Sequence, residues 1–149
     1  MPEPVRVTWA VWALSLGGLI PFAAAAAVLL LIPGSPLAGP ALLTLFAWSA
    51  TVLSFLGGAR WGMELAKPSP RPNVLAAACL PALAAWLIVA ATPVSLLSWQ
   101  PALLASAFIA AFLWDARSGM GRAYRQVRLV CTAGAVLALL VGLKATLGV

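Results

Sequence analysis

The stretch "LSFLGGARWGMELAKP", Leu53–Pro68, decides the fold. It closes an uncharged apolar run that begins at Ala41, then places an arginine and a glutamate four residues apart, Arg60 and Glu64, before a charged, proline-rich break. The nineteen residues from Ala41 to Ala59 measure about 28 Å as a helix, close to the roughly 30 Å hydrocarbon of a bilayer. The segment therefore reads as a membrane helix leaving the lipid at Arg60–Glu64.

Composition generalises that reading. The chain has 149 residues, 64% hydrophobic and 8% charged, with a mean hydropathy of +1.06. Soluble domains carry roughly a quarter charged residues, so the solvent of this chain is mostly lipid. Five segments are long and apolar enough to span: about 8–32, 41–65, 74–91, 96–114 and 127–147. The expected fold is all-α, a single domain over 1–149 and a bundle of five transmembrane helices.

Charge sets the orientation. Arg6, Lys67, Arg71, Arg117, Arg122 and Arg125 precede the first helix or lie in the second and fourth connections, "KPSPRP" (67–72) and "DARSGMGRAYRQ" (115–126), with Arg128 just past the latter on the same side. The first and third connections, "PGSPLAGP" (33–40) and "ATPVS" (91–95), carry none, and only Lys144 lies on the far side. Cationic loops stay inside. This predicts a cytoplasmic N-terminus, or a matrix one in a mitochondrion, and an outside C-terminus. The first apolar run exceeds a signal-peptide core and is expected to be retained. The net charge of +6 is spread along the connections and makes no nucleic-acid face.

The chemistry available is limited. With no histidine and two cysteines, Cys79 and Cys131, outside any CxxC spacing, no metal, cofactor or disulfide framework is indicated. No nucleophile–base pair can be assembled from the membrane serines, so no enzyme is expected. Ala50, Ser54, Gly58 and Gly62 recur every four residues on one helix face. Such a strip serves close helix packing within the bundle, or else a homodimer seam or a partner's docking groove. Arg60 shares a face with Glu64. It either snorkels to the headgroups or turns inward to pair with Glu64 or with Asp115, giving a membrane-edge charge cluster. Arg117, Arg122, Arg125 and Arg128 are candidate contacts for anionic lipid headgroups. Pro21 kinks the first helix and frees the carbonyl of Gly17; Pro81 kinks the third. Trp9, Trp12, Trp61, Trp99 and Trp114 suit interfacial anchoring, and Trp86, deeper, suits packing.

"GLIPF" (Gly18–Phe22), "LSFLGGARWGMEL" (Leu53–Leu65), Asp115 after a tryptophan, and "YRQVRLVCT" (Tyr124–Thr132) together resemble the domain of unknown function 3429 family, which includes transmembrane protein 69 of mitochondria and many proteobacterial relatives. The chain departs from that pattern at Ala116, where an arginine is expected, and at Ala123, where an aromatic is. The resemblance implies a small five-helix protein of the bacterial inner membrane or its mitochondrial descendant, and brings no activity or cofactor. The reading that follows is an accessory, scaffold or assembly subunit, packed against a membrane-protein partner or its own copies, with a respiratory or photosynthetic complex as the partner class. The alternative is a small transporter or lipid-handling protein using the edge charges.

Overall fold

The computed structural model describes residues 8–92, 98–118 and 121–148. Its helices are α1 (Trp9–Gly17), α2 (Ile20–Leu31), α3 (Ala38–Leu65), α4 (Pro72–Ala78), α5 (Leu80–Ala90), α6 (Gln100–Ala116) and α7 (Arg122–Leu147). Among the described residues every regular element is helical. Among them, four stretches are long and apolar enough to cross a membrane: Trp9–Leu31, Ala38–Leu65, Pro72–Ala90 and Arg122–Leu147. The helix Gln100–Ala116, 17 residues, is apolar but shorter.

Two of the long segments are broken where the sequence forces it. Pro21 lacks an N–H and sits in the first turn of α2, and α1 ends at Gly17 with Gly18 and Leu19 between them. The carbonyl that gains an outside donor is that of Gly18, one residue beyond the expected Gly17: the Trp48 indole Nε1 donates to it at 2.8 Å. Pro81 likewise sits in the first turn of α5, and the break falls at Cys79. Pro101 lies early in α6, where a missing N–H breaks no helix bond.

α3 is the hub and packs against α2, α4, α5, α6 and α7. Its inward row is Ala41, Leu45, Ser49, Leu53 and Gly57, with Glu64 two turns on. Phe22 and Phe108 meet edge to face at 5.9 Å where α2 faces α6. At one end, Gln100 Nε2 donates to the carbonyls of Ile88 (2.9 Å) and Val89 (3.4 Å), satisfying the frayed last turn of α5. At that same end Thr146 of α7 donates to the carbonyl of Ser98 at 2.8 Å. Asp115 meets α7 again at the opposite end, so α6 runs alongside α7 from Ser98 to Asp115.

Several expectations are corrected. α7 begins at Arg122, well before 127, because Arg122–Gln126 contains no helix breaker. α3 starts at Ala38, with Pro40 tolerated in its first turn. The α6 start near 96 falls partly on residues 93–97, outside the described residues. Trp86 is exposed on the outer face of α5, not packed. The strip Ala50, Ser54, Gly58, Gly62 is not the bundle's packing row: Ser54, Gly58 and Gly62 are exposed. An added Cβ at Gly58 or Gly62 would meet nothing within 4 Å. On α3 the glycine that permits close approach is Gly57, where a Cβ would stand 2.4 Å from the Ala78 carbonyl oxygen of α4.

That contrast predicts opposite outcomes for adjacent residues. Gly57→Ala forces α3 and α4 apart and costs about 1–3 kcal/mol. Gly58→Ala is neutral or slightly stabilising, by up to roughly 1 kcal/mol of helix propensity. Thermal unfolding of the detergent-solubilised variants distinguishes them, and equal melting would show that α3 and α4 do not touch at Gly57.

Candidate functional site

Three helix termini bring their charges together at one end of the bundle. Arg60 lies in the last turns of α3, Asp115 in the last turn of α6 and Arg128 in the second turn of α7. Arg60 Nη1 donates to Asp115 Oδ1 and Arg128 Nη2 to Asp115 Oδ2, both at 2.7 Å. The Arg60 guanidinium also lies over the Trp114 ring, 4.2 Å from its centroid, and donates to the Ser118 hydroxyl. A carboxylate at a helix C-terminus opposes the helix dipole; two guanidiniums compensate Asp115 here. Arg128 is the most enclosed of the three, 7% exposed against 13% for Arg60 and 14% for Asp115.

Glu64 forms a separate knot. Its oxygens accept from Lys67 Nζ, from the Arg71 backbone N–H (3.1 Å) and from Arg71 Nε (2.8 Å). Arg71 is the residue preceding α4, so Glu64 ties the end of α3 to the start of the next helix. The carboxylate hydrogen bond raises the Arg71 guanidinium above its ordinary proton affinity. Of the pairings open to Arg60, the structure places Asp115 against it and gives Glu64 to the loop cations.

The four arginines of the fourth connection divide. Arg117, Arg122 and Arg125 are exposed. Arg128 is buried against Asp115 and does not face headgroups as a loop cation would; its place inside α7, four residues before the buried Thr132, takes it into the bundle. Sequence reasoning did not single out Trp48, Gln100 or Arg128 as internal partners. Each is a donor inside an apolar run or beside one, which in lipid demands an acceptor. Cys79 and Cys131 are both free thiols. A cavity of about 590 Å³ opens beside the knot, lined by Arg60, Glu64, Lys67, Arg71, Trp114 and Arg117.

A chain whose described residues form only helices, several of membrane length and apolar, with an ion-paired end, is a polytopic membrane protein. The chain belongs to the family described as Protein of unknown function (DUF3429), whose model matches residues 7–144. No curated protein and no solved structure matches it.

The two knots respond differently to loss of their acid. Asp115→Ala leaves Arg128 and Arg60 enclosed without a counter-charge, and such losses cost about 3–5 kcal/mol when the pair is buried. Glu64→Ala frees Lys67 and Arg71, which are 50% and 61% exposed and turn to water, so its loss is the smaller. Unfolding midpoints of the two variants in one detergent decide the order; a larger drop for Glu64→Ala would contradict it.

Proposed function

We propose that this protein is a non-catalytic accessory subunit, embedded by five crossings, whose α3 strip seats a transmembrane helix of another membrane protein. The observation that carries the reading is the outward placement of Ser54, Gly58 and Gly62 with open space at both glycines. Small residues on a lipid-facing surface let a second backbone approach closely, and the bundle itself does not use them. A second copy is the poorer occupant. A two-fold pair shares one membrane orientation and would set the exposed Lys67 and Arg71 rims side by side. A partner with small residues opposite the strip and acidic residues at that rim fits better. The inner membrane of a bacterium, or of a mitochondrion, is the compartment this reading implies.

For topology, the supporting feature is the meeting of Arg60, Lys67, Arg71, Asp115 and Arg128 at one end, with Lys144 near the other. The path of α6 along α7 supports reading it as the fifth crossing despite its length. The cationic end is then the cytoplasmic one and the C-terminus lies outside. Protease access to tags on the two termini should differ in sealed vesicles, and equal access would overturn five crossings.

A photo-crosslinking residue at Ser54 or Gly58 tests the docking itself. In the native membrane it should yield one discrete adduct with a different membrane protein, and none from the likewise exposed Trp86 position. Gly58→Leu should abolish that association while the protein remains folded. An adduct of twice the chain mass would make the strip a homodimer seam, and adducts equal at both positions would remove it as a docking face.

The second reading, lipid handling, is favoured by the cationic cavity of about 590 Å³ beside Arg60. Exposed Arg117, Arg122 and Arg125 would add about 1 kcal/mol each toward anionic headgroups. Under it, Arg60→Ala abolishes lipid movement in reconstituted vesicles while Gly58→Leu is tolerated.

A further inference from the structure

Arg128, bound to Asp115, also borders a second cavity of about 380 Å³, within the usual size range of small-molecule sites. Its walls are largely apolar and include Leu19, Phe22, Phe55 and Phe108. It runs from the charged end, beside Tyr124 and Arg128, to the level of Gly18 and Ala135 well inside the bundle. Leu14 of α1 and Phe55 of α3, both exposed, flank it on the lipid side. A space polar at the membrane edge and apolar inward has the polarity of a membrane amphiphile.

Two buried side chains lining it hold polar atoms that lack hydrogen-bond partners among the described residues. These are Arg128 Nε and Thr132 Oγ1, and their residues are only 6% exposed each. They stand one turn apart on the same face of α7. Thr132 differs from the helical hydroxyls of Thr44, Thr51 and Ser106, each of which donates to the carbonyl four residues back at 2.9 Å. A buried donor left unmade is costly. Charge points the same way. Asp115 brings one negative charge to two guanidiniums, so the cluster holds one uncompensated positive charge next to the cavity.

We propose that this cavity binds the acyl chain of a membrane amphiphile with a mono-anionic headgroup, whose oxygens accept from Arg128 Nε–H and the Thr132 hydroxyl. The carboxylate of a fatty acid and the phosphodiester of an anionic phospholipid share that chemistry. The site lies on a different face of α3 from the docking strip and does not depend on that reading.

The test uses the full-length protein in detergent with diazirine-bearing palmitate, diazirine-bearing phosphatidylglycerol and, as the neutral control, diazirine-bearing palmityl alcohol. Saturable labelling is expected in Trp48–Leu56 and Cys131–Ala135 with at least one anionic probe, competed by its unlabelled form. The probe that saturates identifies the headgroup source. Thr132→Val, which keeps the shape and removes the hydroxyl, should weaken half-saturation about fivefold, the worth of one hydrogen bond, without lowering thermal stability in the absence of probe. Arg128→Lys, which retains the charge but not Nε–H, should weaken it as well. Labelling spread over exposed faces, equal labelling by the alcohol, or unchanged half-saturation in both variants would overturn the proposal.

Discussion

A single carboxylate, that of Asp115, accepts from guanidiniums carried by two other helices, and the charged end of the bundle is organised about it. In water a pair of this kind contributes little. At the edge of the hydrocarbon, with all three side chains largely enclosed, the attraction between them is much less screened. The arrangement fixes three things at once: the height of α6 relative to α3 and α7, the rotation of α7 that turns Arg128 inward, and the position of Trp114 under Arg60. Two cations against one anion also leave a residual charge that no side chain of the cluster neutralises.

The same scarcity of water governs the backbone. Where a helix breaks or ends, unpaired carbonyls have no solvent to turn to, and polar side chains from neighbouring helices serve instead. Trp48 reaches from α3 to Gly18, and Gln100 reaches from α6 to the last turn of α5. Both bonds do double duty: each satisfies a carbonyl and fixes how one helix sits against the next. Isolated polar groups in apolar helices are therefore the best indicators of tertiary contact in this chain.

This explains what was readable in the sequence and what was not. Length, hydropathy and proline-rich breaks located the helical segments and the two kinks, because lipid thickness and missing N–H groups act locally. Facing was harder. Interior and lipid are equally apolar, so large hydrophobic residues mark neither side, and Trp86 and Phe55 lie outside as readily as Leu45 and Leu53 lie within. Only small and polar residues carry facing information, and α3 offers two small rows one residue, about 100°, apart. The row through Ser49, Gly57 and Glu64 turned inward; the row through Ser54, Gly58 and Gly62 turned outward. The buried glutamate two turns from Gly57 was the available discriminator.

Cations pose the complementary problem, since the positive-inside pattern counts Arg117, Arg122, Arg125 and Arg128 alike. Arg117 follows the end of α6, and position along α7 separates the other three. Arg122 and Arg125 stand in the first turn, where long side chains reach water, whereas Arg128 lies a further turn in, on the face that continues through Thr132 and Ala135. At that depth a guanidinium needs a counter-charge supplied by the fold, and Asp115 is the acid within reach. Orientation needs only charges that remain outside. Once paired inside, Arg128 marks the charged end and also belongs with the internal chemistry of the bundle: the ion-paired end, and the cavity along which its unpaired Nε lies.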